Sequence, residues 1–128
     1  MIKLITYSGQ TDANFFIQCK GNNSGRPLVD PIPNCFAVYT DVPYAFDIIQ
    51  GLFISKKFVR DIIGSVIPFI RKQDILNIIE PQLKKSHNLK ELEAINLVDQ
   101  QIENTLKKLD LLKKMKISFA QRSINSAI

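Results

Sequence analysis

With 128 residues, 45% of them apolar and 23% charged, the chain is long enough for one domain with a real core and too apolar for wholesale disorder. Its net charge of +5 is confined to the middle, where residues 51–90 carry eight cations against three anions while residues 1–50 and 91–128 contribute −1 and +1, and charge so localised suits a phosphate-bearing partner. No apolar run approaches the roughly 20 residues of a bilayer span and the start MIKLITYSGQTD lacks the apolar core of a signal peptide, so a cytoplasmic protein with no membrane partner is expected.

In chain order, Lys3 to Tyr7 and Phe15 to Cys19 are short β-branched and aromatic runs around the turn-like SGQTDAN, which predicts two strands forming a hairpin. Lys20 to Asn34 holds two glycines, three prolines and three asparagines, a density that prevents a helix and restricts any strand to an edge. Cys35 to Thr40 is nearly all apolar and reads as a buried strand. Asp41 is placed to cap a helix beginning near Pro43 and weakening around Gly51. Ser55 is placed to cap a second short helix, with Phe58, Ile62 and Ile63 inward, ended by Gly64. Val66 to Ile70 then reads as a strand with Pro68 at an edge or bulge, and Gln73 to Ile79 as a turn or two of helix before Pro81. The segment PQLKKSHN is a polar connector.

From Leu89 onward the sequence has neither proline nor glycine. Ile95, Val98, Ile102, Thr105, Leu109, Leu112, Lys116 and Phe119 recur at alternating steps of three and four, the a/d rhythm of a heptad helix, with Gln101 and Lys108 among the flanking positions. From Leu89 to about Phe119 such a helix spans about 45 Å at 1.5 Å per residue, too long for so small a globular part to cover. A second copy or another helix-docking protein is therefore the expected partner, through Ile95, Val98, Ile102, Leu109, Leu112 and Phe119. The whole reads as α+β: a small mixed sheet with short helices over residues 1–88, and a long C-terminal helix for association over residues 89–128.

The order of these pieces resembles a known arrangement: an apolar strand, a Ser-Lys-Lys-Phe segment, GSVIPFIRKQDILNI, a proline-containing connector and a heptad helix with DQQIENTLKKLDLLKK. It is similar to the distal half and conserved helix of the target-recognition domains of type I restriction–modification specificity subunits. Ser55, Phe58, Gly64, Ser65, Ile67, Pro68, Ile70, Asp74, Ile75 and Ile78 stand at the matching places. The resemblance implies a truncated, stand-alone relative of such domains, with DNA as partner and dimerisation supplying a second recognition unit. The N-terminal part, with KGNNSGRPL and PIPNCF, looks like a small bacterial family of unknown function.

Lys56, Lys57, Arg60, Arg71 and Lys72 are the candidates for phosphate contacts, against the plainer reading of a solvated rim on two short helices. Lys20, Asn22, Asn23, Ser24 and Arg26 share one flexible loop, where Asn suits adenine and Arg suits guanine, although Asn and Gly are also common turn residues. The loop lacks the spacing of a phosphate-binding P-loop. Asp12 with Gln18 and Lys20 faintly resembles the acidic-plus-lysine signature of metal-dependent nucleases, but a neutral Gln holds a divalent ion poorly. With Cys19 and Cys35 isolated and His87 the single histidine, no four-ligand zinc site forms from this chain alone. The thiols read as buried and reduced, His87 as a surface residue. The expectation is a non-catalytic DNA-binding protein without cofactor or small-molecule substrate; the competing reading is a protein-interaction module whose positive charge only aids solubility.

Overall fold

The computed structural model describes residues 1–126 and has the α+β architecture. Its strands are β1 (Ile2–Thr6), β2 (Phe15–Gln18), β3 (Pro27–Leu28) and β4 (Cys35–Thr40), in the order β1-β4-β2-β3. Every pairing is antiparallel, with Leu4 opposite Val38, Phe16 opposite Ala37 and Ile17 opposite Pro27, so the sheet is not mixed. Nor do β1 and β2 form a hairpin, because β4 lies between them. The cause is apolar content: Ala37 and Val38 point to opposite faces of β4 and are both fully buried, which only a central strand allows. β3 stays at the edge, where the missing N–H of Pro27 is tolerated.

Three helices follow, α1 (Ala45–Ile54), α2 (Lys72–Leu83) and α3 (Leu89–Ser126). The main core lies on one face of the sheet, where Leu4, Ile17 and Val38 meet Ile49 of α1 and Ile75 and Ile79 of α2. A smaller cluster on the other face joins Phe16, Cys35 and Ala37 to Tyr7, Leu28 and Tyr39, with Tyr7 and Phe16 edge-to-face at 5.5 Å.

Several boundaries differ from the expectation. α1 begins at Ala45, two residues past Pro43: Tyr44 adopts a left-handed conformation (φ 61°) and its carbonyl accepts the first N–H, from Ile48 at 3.0 Å. Asp41 makes no helix cap and pairs with the Met1 ammonium at 3.1 Å, which holds its carboxyl below the usual range. Ser55 closes α1 and does not open a second helix. Lys56 turns left-handed (φ 60°) and donates to Phe53, while Lys57 donates to Leu52, both at 3.0 Å, the pattern of a Schellman motif with lysine in the usual glycine position. Only a 3₁₀ turn, Val59–Asp61, follows before Gly64.

Val66 to Ile70 is not a strand. Ile63 and Phe69 exchange both backbone bonds, at 2.9 and 2.8 Å, and close a tight loop that leaves Val66 91% exposed. Gly64 is required there: its φ is +101° and an added Cβ would lie 2.6 Å from the Ile67 carbonyl oxygen. α2 continues through Pro81 to Leu83, since a proline near a helix end removes one hydrogen bond without exposing a long stretch of backbone. α3 has 38 residues and is about 57 Å long. The described residues form two compact units, Met1–Leu92 and the part of α3 from Glu93 onward.

Candidate nucleic-acid interface

Three basic segments, far apart in sequence, are brought together in the first unit, two of them by backbone bonds and the third by one side chain. The β2–β3 loop carries Lys20, Asn22, Asn23 and Arg26. Its Gly21 N–H donates to the Pro68 carbonyl at 2.7 Å, and Ile70 N–H donates to the Cys19 carbonyl at 2.9 Å. Those bonds set the loop beside the segment that enters α2 with Arg71 and Lys72. The loop also packs on Phe58, which is 1% exposed and sits between Lys57 and Arg60 in sequence. The approach is so close that a Cβ on Gly25 would lie 2.6 Å from the Phe58 ring. All nine side chains named as candidates are exposed.

The loop itself is pinned rather than flexible. Gly25 N–H donates to the Gln18 carbonyl at 2.8 Å, Arg26 N–H to Asn23 at 3.1 Å, and the buried Ser24 hydroxyl to Gly21 at 2.7 Å. The Gln18 side-chain amide donates to the Lys20 carbonyl at 2.7 Å. An ordered loop loses little entropy on binding, which favours presenting Asn22, Asn23 and Arg26 to a ligand. The residues that build this platform, Gln18, Ser24, Gly25 and Phe58, escaped the reading of the sequence as functional supports. Phe58 meets Gly25 from a distant part of the chain, and no local pattern marks that contact.

The cations are not equivalent. Arg71 Nε bonds the Asp74 carboxylate at 3.1 Å, and Lys72 Nζ stands 6.0 Å from the centre of the Phe36 ring. Lys56, Lys57 and Arg60 make no ion pair among the described residues, which leaves them the more available for an external phosphate.

The nuclease-like grouping does not assemble. Asp12 lies before β2 and accepts a bond from the Tyr39 hydroxyl at 2.7 Å, whereas Lys20 lies beyond the far end of that strand. That hydrogen bond, with desolvation and the carboxylate's charge, raises the Tyr39 pKa above the ordinary phenol value. His87 is half-buried, and its Nε2 donates to the Gln82 carbonyl at 2.7 Å, so it is a fixed connector residue rather than a free surface one. Cys19 and Cys35 are both free thiols; Cys35 is buried and Cys19 half-buried, and burial pushes both pKa values up. No group of three His, Cys, Asp or Glu among the described residues is placed to hold a metal ion, and no helix is long and apolar enough to cross a membrane.

The second candidate surface is α3. In the unit from Glu93 onward no described side chain is fully buried. Ile95 is half-buried, while Val98, Ile102, Leu109, Leu112 and Phe119 are between 46% and 60% exposed. Leu97, Val98, Gln101, Ile102, Thr105 and Leu106 line a shallow apolar depression on this helix. Glu103–Lys107 at 3.3 Å and Asp110–Lys114 at 3.0 Å are i,i+4 pairs that support the helix by a few tenths of a kcal/mol each, about 0.3–0.5.

The model of a family of unknown function, DUF6943, matches residues 4–122, which takes in both units. No curated protein and no solved structure matches the chain.

Proposed function

The chain belongs to the DUF6943 family of unknown function, and on that premise we propose that it is a non-catalytic DNA-binding protein that associates through its C-terminal helix. The observation that carries this reading is the convergence of the Lys20–Arg26 loop with the Lys56–Arg60 turn, through the Phe58 ring, and with the Pro68–Lys72 segment, through the Gly21–Pro68 bond. Lys56, Lys57 and Arg60 supply sequence-independent phosphate contacts, with Arg71 and Lys72 joining once they leave Asp74 and Phe36. Asn22, Asn23 and Arg26 offer the side-chain geometry that reads adenine and guanine edges. The resemblance to type I target-recognition domains, carried by Ser55, Phe58, Gly64 and the residues that follow, supports the same reading. A single recognition unit then requires association to read a two-part site.

One observation favours a second reading, in which the chain is a protein-interaction module without nucleic acid. Exposed apolar residues recur along α3 from Leu97 to Phe119, and two of the five middle cations already have intramolecular partners. Binding of labelled duplex DNA by the intact chain, followed by fluorescence anisotropy over a salt series, separates the two. DNA binding predicts a log–log salt slope of about −4 to −5 if five phosphates are neutralised. Replacing Lys56, Lys57 and Arg60 together by alanine should flatten it by about 3. Absence of binding at every salt concentration, by a chain that still associates, assigns the module reading instead.

A further inference from the structure

We infer that the apolar stripe of α3 is covered by a second copy of this chain running antiparallel, with Asp99 of each helix set against Lys113 of the other. This rests on the associating half of the proposed function and names the partner. The helix has a charge gradient along its length. From Glu93 to Thr105 it carries three anions and no cation; from Leu106 to Ser126 it carries six cations and one anion. Two copies side by side in the same direction place the basic halves together, whereas opposite directions place each basic half against an acidic one.

The heptad register makes the choice specific. With Ile95, Ile102, Leu109 and Lys116 at a, and Val98, Thr105, Leu112 and Phe119 at d, Asp99 and Lys113 fall at e and Lys108 at g. A parallel pair would set Lys116 against its own copy in the seam and Lys108 against Lys113 on both flanks. An antiparallel pair instead forms layers of Ile95 with Phe119, Ile102 with Leu112, and Thr105 with Leu109, and puts Lys116 opposite Val98. In that register the e positions of the two copies meet on one flank and bring Asp99 to Lys113 twice, once on either side of the twofold axis, while on the other flank the g positions set Lys108 opposite its own copy. The depression between Val98 and Leu106 then receives Leu109 and Leu112 of the second copy. The pairs Glu103–Lys107 and Asp110–Lys114 lie at b and f on the outer side, so they do not compete for the seam.

The test uses the intact chain without DNA. Sedimentation should show self-association, weakened about tenfold by Asp99→Lys or by Lys113→Glu alone and recovered in the double variant. Mixing an Ile95→Cys chain with a Phe119→Cys chain under mild oxidation should link position 95 of one to position 119 of the other, as located by mass spectrometry. A monomer at all concentrations, or links only between like positions, overturns the inference. Since neither readout involves nucleic acid, such a failure is distinct from failure of DNA binding, which the salt series measures by itself.

Discussion

Lys56 and Gly25 are a matched pair of left-handed positions with opposite fitness. Lys56 ends α1 at φ 60° with a side chain that this conformation disfavours, where glycine is the usual residue. Gly25 holds φ +97° over the Phe58 ring, with no room for a Cβ. Lys56→Gly is therefore expected to raise stability by about 0.5–1 kcal/mol, while Gly25→Ala lowers it by about 2–4 kcal/mol. Equilibrium urea denaturation of the two variants should move the midpoint in opposite directions. Neither strain was visible in the sequence. Lys56 and Lys57 read as the exposed face of a second helix until Ser55 is seen to end the first, and GNNSG reads as a free turn until Phe58 is seen beneath it.

At the scale of elements, helices with similar apolar spacing have different duties. In α2, Ile75 and Ile79 are fully buried against the sheet. In α3, Leu111 is 59% exposed and lies outside the a/d seam. Ile79→Ala should cost about 2–4 kcal/mol of unfolding free energy, whereas Leu111→Ala should cost less than about 0.5 kcal/mol because alanine keeps the helix and little buried area is lost. Thermal melts with calorimetry would distinguish the two. The long helix was legible because a periodic run without proline or glycine has few alternatives, and it proved longer than the stripe that announced it. The strands were legible as elements but not as partners. A β-run records which faces are apolar, not which neighbour pairs with it, and here the more apolar β4 lies between β1 and β2, where a local hairpin would have paired the two directly. The strand expected at Val66 to Ile70 failed for a related reason: the Ile63–Phe69 closure is set by Gly64 and by pairing with Lys20, not by β-propensity.

For the molecule as a whole, the unit Met1–Leu92 holds all the buried apolar residues among those described, and no described side chain from Glu93 onward is buried. Hydrogen exchange should reflect that division. Amides of β4 are expected to be protected at any protein concentration, and amides from about Val98 to Phe119 to gain protection as concentration rises, because an isolated helix is marginal and association stabilises it by mass action. Concentration-independent exchange in α3 would contradict association through it. The sequence by itself determined the α+β class, the long helix and the central charge excess, since composition and periodicity are local properties that each segment carries alone. Only the tertiary structure decided the strand order, the end of α1 and the meeting of the Lys20–Arg26 loop with Phe58 and Pro68. Those depend on contacts between residues tens of positions apart, whose worth is set by the surface they bury together and not by either segment's own preference.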